Sequence, residues 1–202
     1  MYHCKENLIL TTKALNNKDP RILEIDDWLN EESIKNVKSK IKLINGKQNE
    51  RSIHFDVTCH ELFEPDLVFT HLKVKDKKEL LKYLNKKLIK RGYVTKKYIQ
   101  SVFAREELTP TSIGDGVAIP HGDPNEVNTA KIVIATLEHP ILWDTESVDV
   151  IFLMVVKFNN DFEINRVQAF YKQYVKLIDG IEKVNLLRSF TSNIDLYQYL
   201  IQ

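Results

Sequence analysis

Hydrophobic positions near the start of the chain change from a strand-like to a helical spacing. Two short apolar runs with β-branched residues, at 7–12 and 21–25, predict strands. Apolar residues at helical spacing from Ile34 to Ile44 then predict a helix, which completes a β-β-α segment over residues 1–44. So small a unit buries too little surface to close a core alone. We therefore expect it to belong to something larger, packed loosely or against another chain.

The pattern becomes denser after a connector at residues 45–60, which begins polar and shows no clear period apart from a short predicted strand at 53–57. From residue 61 onward, strands are predicted at 67–74, 131–137 and 148–156, and helices are predicted after Asp76, after Thr95, over 163–178 and in two pieces from 181 to the end. The strand at 148–156 is apolar almost throughout, as is typical of a central strand covered on both faces. This alternation predicts an α/β fold over residues 61–202, with a mixed β-sheet flanked by helices.

Composition and charge exclude several classes of protein. The chain has 29 Lys and Arg against 28 Asp and Glu, a net charge of +1, which argues against direct contact with nucleic acid. The Lys-rich stretch at 73–91 places its charges on the outer face of an amphipathic helix, where they are solvated. No apolar run approaches the roughly 20 residues of a membrane span, and the N-terminus lacks the features of a signal peptide. We therefore expect a cytoplasmic protein.

Metal and disulfide chemistry is also disfavoured. The two cysteines, Cys4 and Cys59, lie far apart and form no CxxC motif. His54 and His60 flank Cys59, but a metal site there needs more ligands than the sequence offers. We expect no metal and no cofactor.

The stretch at 104–122, AREELTPTSIGDGVAIPHG, concentrates the candidate chemistry. His121 directly follows a proline, and neutral imidazole is nucleophilic near pH 7. Gly114 and Gly116 have backbone N–H groups that can approach an anion, and the Arg105 guanidinium offers paired donors to phosphoryl oxygens. Taken alone, however, a loop histidine is more often structural and Gly-x-Gly is unspecific. The residues by themselves leave both interpretations open.

This stretch resembles the active-site signature of the enzyme IIA domain of the fructose–mannitol family, part of the sugar phosphotransferase system. The flanking runs ELFEPDLVF, GYVTKKYIQSVFAREE and ILWDTESVDVIFLMVV resemble the family's entry, second helix and central strand, so the resemblance covers residues 61–202. It implies that His121 accepts a phosphoryl group from the phosphocarrier protein HPr and that Arg105 neutralises that group. It also implies that Thr111 is a signature residue near the site. We expect His121 and Arg105 within a few ångströms of each other at a shallow cleft.

One position departs from the family pattern. Many members carry a second histidine at the start of the helix after the central strand, and our alignment places Arg166 there. Arginine can pair with phosphate but cannot titrate as histidine does. We expect the Arg166 guanidinium to point toward the His121 cleft and to slow release of the phosphoryl group. Arg166 therefore joins Gly114 and Gly116 as a phosphate-binding candidate.

The N-terminal runs NLILTTK and RILEID, with the helix after them, resemble the C-terminal half of an enzyme IIB-like domain. Such a domain precedes the IIA-like domain in transcription regulators with phosphotransferase-regulated domains. Together with the missing second histidine, this favours a regulatory domain that reports sugar availability to a transcription regulator or antiterminator. Its partners would be HPr, an enzyme IIB domain and upstream regulatory domains of a longer chain. The alternatives are a transport enzyme IIA that passes phosphate to a IIB domain, and an interaction module that is never phosphorylated.

Overall fold

A computed structural model describes residues 9–11, 22–24 and 55–201, and the chain divides into two compact units, Met1–Ser52 and Ile53–Gln202. In the first unit, β1 (Ile9–Thr11) and β2 (Ile22–Glu24) pair in parallel. The two strands predicted in this segment are confirmed. The helix predicted from Ile34 to Ile44 lies outside the described residues.

The second unit is built on a mixed four-stranded sheet. Its strands are β3 (Val68–Leu72), β4 (Val117–Ala118), β5 (Lys131–Leu142) and β6 (Ser147–Val155). Across the sheet they lie in the order β3-β5-β6-β4. The central pair β5–β6 is antiparallel, whereas β3 runs parallel to β5 and β4 runs parallel to β6. The mixed sheet and the central position of the apolar strand β6 are confirmed.

Helices cover both faces of this sheet because β6 directs alternate apolar side chains to opposite sides. The helices are α1 (Lys77–Lys90), α2 (Tyr98–Leu108), α3 (Asp161–Ile178), α4 (Ile181–Ser189) and α5 (Asn193–Ile201). Phe152 and Met154 of β6 belong to the core shared with α3, α4 and α5. Ile151 and Leu153 belong to the core shared with α1 and α2. None of the helices described between residues 55 and 201 is long and apolar enough to cross a bilayer.

The start of α1 follows the capping pattern predicted from Asp76 and Glu79. The Asp76 side chain accepts a hydrogen bond from the Glu79 N–H at 2.7 Å, and the Glu79 carboxylate accepts one from the Lys75 N–H at 2.8 Å. The helix predicted after Thr95 begins only at Tyr98, because Thr95 first forms a turn in which its Oγ1 accepts from the Lys97 N–H at 3.1 Å.

Two segments differ from the sequence-based expectation. Strand β5 continues past the predicted end at 137 to Leu142, with a register shift between Thr136 and Ile141. This irregularity accommodates a proline, which cannot donate to a regular ladder. The predicted strand at 53–57 is wrong for its described part: Phe55 and Asp56 lead into a 3-10 helix from Val57 to Leu62.

The reason for the second difference is burial. Phe55 is 1% exposed and stacks on Phe170 of α3 with ring centroids 5.1 Å apart, and Cys59 is fully buried beside it. Part of the predicted connector is therefore core of the second unit.

Candidate functional site

His121 lies beside the carboxyl-terminal end of β6, just beyond β4. It forms a parallel bridge with Met154, and the Met154 N–H donates to the Pro120 carbonyl at 2.8 Å. The imidazole is half-buried. The backbone of the histidine is thus fixed by the central strand while its ring remains partly open to solvent.

The hydrogen bonds of the His121 ring define its protonation. Nδ1 lies 3.1 Å from the Ile119 carbonyl oxygen, which can only accept, so Nδ1 carries the proton. Nε2 receives a hydrogen bond from Nε of Arg105 at 3.1 Å, and an arginine N–H can only donate. The arrangement selects the neutral tautomer whose lone pair is on Nε2. That nitrogen is therefore the nucleophilic atom of the ring.

Arg105 occupies the last turn of α2. Besides its bond to His121, it donates from Nη1 to the Thr109 carbonyl at 2.8 Å, where the helix ends. Its Nη2 group has no hydrogen-bond partner among residues 55–201. The predicted closeness of Arg105 and His121 is confirmed. The guanidinium stands at the nucleophilic nitrogen with donors to spare for an anion.

Thr111 is a buried residue that fixes the loop between α2 and β4. It is only 4% exposed, and its hydroxyl and its N–H both bond to the Glu106 carboxylate. Its carbonyl accepts from the Ile119 N–H at 3.0 Å, and Ile119 in turn accepts from the His121 ring. The Thr111 hydroxyl is thus engaged with Glu106, and the residue connects to the histidine through the backbone.

Glu106 is a site residue that the sequence interpretation missed. Its carboxylate is buried, accepts from the Trp143 Nε1–H at 2.8 Å and pairs with Lys77 at 3.5 Å. The position of Glu106 in the helix could have indicated its burial. Tyr98, Val102 and Glu106 recur every four residues along one face of α2, so this carboxylate shares the buried apolar face.

The two glycines of the motif shape a hairpin tip. Gly114, Asp115 and Gly116 all have positive φ, at 91°, 51° and 78°. A Cβ at Gly116 would lie 2.4 Å from Nη2 of Arg188 and 2.7 Å from Oδ1 of Asp149, whereas one at Gly114 would meet nothing within 4 Å. Gly116 is therefore required by its backbone conformation and by close packing. Within the described part of the chain, no hydrogen bond joins either glycine to the His121 ring.

Arg166 contacts partners other than His121 in this structure, and its predicted phosphate contact stays a prediction. Its Nη2 pairs with the Glu61 carboxylate, and its guanidinium lies 4.8 Å from the centroid of the Phe162 ring. The side chain is 13% exposed, and none of the contacts described for residues 55–201 joins it to His121. A carboxylate and a ring face both attract a cation more strongly than a neutral imidazole does. This explains why the guanidinium turns to them.

His60 and Cys59 are held in structural contacts of the second unit. Nε2 of His60 lies 2.6 Å from the Phe55 carbonyl oxygen. Burial raises the pKa of the Cys59 thiol to about 11, so the thiol is protonated and unreactive at neutral pH. No three His, Cys, Asp or Glu side chains of the described residues converge as a metal ion would require. His54 and Cys4 lie outside the described residues.

Several known proteins are similar to this chain in sequence. The transcriptional regulator ManR of Bacillus subtilis is 24% identical over 192 residues, covering 94% of this chain and 29% of the regulator. A mannitol-specific phosphotransferase enzyme IIA component of Staphylococcus aureus is 36% identical over 94 residues, covering 45% of this chain and 65% of the component. The chain therefore spans less than a third of the length of the regulator.

Solved structures support the fold. In the complex of mannitol enzyme IIA with phosphorylated enzyme IIB from Escherichia coli, the matching protein superposes with a TM-score of 0.55 at 21% identity, covering 67% of this chain and 96% of that chain. The model of the family "Phosphoenolpyruvate-dependent sugar phosphotransferase system, EIIA 2" matches residues 61–202. Because this match covers more than half of the sequence and includes the whole His121 site, the chain belongs to the EIIA 2 family of the phosphoenolpyruvate-dependent sugar phosphotransferase system.

Proposed function

We propose that His121 accepts a phosphoryl group on Nε2 and that the domain carries it as a signal of sugar availability within a transcription regulator or antiterminator. The observation that carries the proposal is the ring geometry. Nδ1–H donates to the Ile119 carbonyl, and Nε2 faces the Arg105 guanidinium. The donor implied by membership of the family is the phosphohistidine of HPr.

The proposed step is an in-line transfer between two imidazoles. The Nε2 lone pair of His121 attacks phosphorus, the Nε2–P bond forms, and the electron pair of the breaking N–P bond returns to the donor ring. Arg105 releases Nε2 and redirects its N–H groups to the phosphoryl oxygens, where charge-assisted hydrogen bonds stabilise the transferring group. The Ile119 carbonyl stabilises the Nδ1–H as the ring gains positive charge.

A further contribution is proposed for residues around the ring. Thr111 would fix the loop rather than touch phosphate, because its hydroxyl is already bonded to Glu106. The N–H groups of Gly114 and Gly116 would act on the phosphoryl oxygens and not on the ring, to which neither glycine is hydrogen-bonded in the described part of the chain. Arg166 would bind phosphate by exchanging the Glu61 carboxylate for the phosphoryl oxygens, because the two anions compete for one guanidinium.

Two observations favour regulation over transport. The similarity to ManR extends over 94% of this chain, whereas that to the mannitol enzyme IIA component covers 45%. In addition, Arg166 stands where our alignment expects the family's second histidine. The transport alternative, in which phosphate passes to an enzyme IIB domain for sugar uptake, keeps the same acceptor and differs only in the onward step.

The test is phosphorylation with enzyme I, HPr and phosphoenolpyruvate. We expect the wild-type chain to take up one phosphoryl group, and ¹⁵N NMR to place it on Nε2 of His121. His121→Ala should take up none, while His139→Ala, which removes an exposed histidine, should behave like the wild type. Incorporation that persists in His121→Ala would overturn the assignment.

A second arm separates the two functions. Slow phosphate loss to an added enzyme IIB domain supports the regulatory role. Sugar phosphorylation reconstituted with cognate IIB and IIC proteins would instead establish transport. The natural gene provides an independent check, because the regulatory role requires upstream DNA- or RNA-binding domains.

A further inference from the structure

Tyr98, the first residue of α2, lies underneath the His121 segment. Its side chain is fully buried. The hydroxyl accepts a hydrogen bond from the Gly122 N–H at 3.2 Å and donates one to the Met154 carbonyl at 2.9 Å. Both groups belong to the immediate surroundings of the histidine, since Gly122 follows it in sequence and Met154 is its partner in the bridge.

These two bonds complete the support of the histidine backbone. A parallel bridge is closed by one hydrogen bond on each side of the bridged residue. On the near side, the Met154 N–H donates directly to the Pro120 carbonyl at 2.8 Å. On the far side, the Tyr98 hydroxyl stands between the Gly122 N–H and the Met154 carbonyl and links them. Both neighbours of His121 are therefore tied to one residue of the central strand.

Close packing leaves this support little freedom. A Cβ at Gly122 would lie 2.7 Å from Cε2 of Tyr98 and 2.6 Å from Oγ of Ser101. The Ser101 hydroxyl also accepts from the Asp123 N–H at 2.8 Å, which fixes the next residue of the loop to the same helix. The backbone after His121 is thus seated directly on α2, the helix that also carries Arg105.

We infer that Tyr98 is a positioning residue for phosphoryl transfer, whose hydroxyl holds the His121 backbone so that Nδ1 stays on the Ile119 carbonyl and Nε2 stays on Arg105. The inference rests on the proposed function. The hydroxyl does not touch the phosphoryl group and acts through the Gly122 and Met154 backbone. Without it, the Gly122 N–H and the Met154 carbonyl lose their link and the ring can rotate away from its two partners.

The test compares Tyr98→Phe with Tyr174→Phe. Tyr174 is an apt control because it is 2% exposed and its hydroxyl is buried without a hydrogen-bond partner in the described part of the chain. Three quantities are measured for each variant: the tautomer of the His121 ring by ¹⁵N NMR, the initial rate of phosphorylation by HPr, and the free energy of unfolding in urea.

We expect Tyr98→Phe to mix the two neutral tautomers of His121 and to slow phosphorylation roughly tenfold to a hundredfold, as small misplacements of reacting groups do. Tyr174→Phe should leave both unchanged. A Tyr98→Phe protein that is less stable yet keeps the single tautomer and the wild-type rate would overturn the inference.

The inference can still be tested if Tyr98→Phe does not fold or if the wild-type chain takes up no phosphate. If Tyr98→Phe does not fold, hydrogen exchange of the Gly122 amide in the wild type replaces it. Protection approaching that of the β6 amides supports the inference, and exchange as fast as that of an unbonded loop amide overturns it. A wild-type chain that takes up no phosphate would reject the proposed function by itself, while the tautomer comparison would still decide whether Tyr98 positions the ring.

Discussion

Arg105 and His121, the pair proposed for phosphoryl transfer, contact each other directly in this structure. The guanidinium occupies the nucleophilic nitrogen at 3.1 Å and is steadied by a bond from Nη1 to the Thr109 carbonyl at 2.8 Å. An incoming phosphoryl group offers oxygens that bind a guanidinium more strongly than a neutral nitrogen does. In the proposed transfer, arrival of the donor would therefore uncover Nε2 and bring the positive charge to the transferring group.

Removal of this guanidinium should slow phosphorylation. We expect Arg105→Ala to lower the phosphorylation rate about a hundredfold or more, the effect of losing one preorganised donor at a developing anion. Arg105→Lys should recover part of the rate, because it restores the charge but not the paired donors. The measurement is the initial rate with phospho-HPr. Arg91→Ala, which removes an exposed arginine paired with Asp66, is the control and should keep the wild-type rate.

The role of Arg166 can be tested through its present partner. If the guanidinium exchanges Glu61 for phosphate, Arg166→Ala should shorten the lifetime of the phosphohistidine, because a stabilising charge is lost. Glu61→Gln should lengthen it, because the competing carboxylate is removed. The measurement is the decay of the ³¹P NMR signal after removal of HPr. Equal lifetimes in the wild type and both variants would confine Arg166 to its ion pair.

At the scale of elements, the hairpin tip before His121 provides a matched comparison of two glycines. Both have positive φ, but only Gly116 packs against side chains, those of Arg188 and Asp149. Gly114→Ala should destabilise the domain by about 1–2 kcal/mol, the cost of a left-handed backbone for alanine. Gly116→Ala should cost about 1–3 kcal/mol more, because the Arg188 guanidinium must leave the Asp149 carboxylate and the Asp115 carbonyl.

Urea denaturation of the two variants measures this difference. Gly116 directly precedes β4, the strand that leads to His121, so the phosphorylation rate should fall more in Gly116→Ala than in Gly114→Ala. Equal destabilisation by the two substitutions would show that Arg188 adjusts freely and that its contact with the tip contributes nothing.

The same elements show what the sequence determines and what it leaves open. Local chemistry predicted the start of α1 at Asp76 and the central position of β6, because capping and unbroken apolar character are properties of a short segment. The length of β5 was not predictable in this way. Its last residues follow a proline, and only the irregular pairing with β6 explains why the strand continues.

Some contacts of the candidate site were predicted from the sequence, and others were not. The closeness of His121 and Arg105 was predicted from the resemblance of the motif to the family signature, and the structure confirms it. The contacts of Thr111 and Arg166 do not follow from the motif, because they depend on residues outside it: Trp143, which binds the Glu106 partner of Thr111, and Glu61, which pairs with Arg166. Buried polar groups take the partners that satisfy them, and a motif does not list those partners.

At the scale of the whole second unit, one carboxylate ties together segments far apart in sequence. Glu64, before β3, accepts hydrogen bonds from the Tyr93 hydroxyl at 2.6 Å and 2.7 Å, and forms an ion pair with Lys131 at 2.7 Å. Lys131 is the first residue of β5 and also donates to the Glu61 carbonyl at 2.8 Å. Burial alone would raise the pKa of Glu64, but the bonds from Lys131 and Tyr93 outweigh it and hold that pKa below its usual value.

This lowered pKa predicts the pH dependence of stability. A carboxyl group whose pKa is lower in the folded state than in the unfolded chain stabilises the fold above its unfolded pKa of about 4.3. That contribution is lost as the pH falls through the folded-state pKa. We therefore expect Glu64→Gln to reduce the free energy of unfolding at pH 7 by about 1–3 kcal/mol, the range for hydrogen bonds to a charged group. The difference from the wild type should shrink steadily at acid pH.

The measurement is urea denaturation of both proteins at a series of pH values from neutral to about pH 3, a range that spans the titration of carboxyl groups. Glu182→Gln, which neutralises an exposed carboxylate in α4, is the control for the change in net charge and should leave the curve close to that of the wild type.

A constant difference between wild type and Glu64→Gln over the whole range would mean that the amide disturbs packing and that ionisation of Glu64 contributes nothing. Convergence of the two curves in acid would instead identify Glu64 as a charge that holds the start of β3, the loop after α1 and the start of β5 together. These three segments carry the sheet on which the His121 site is built.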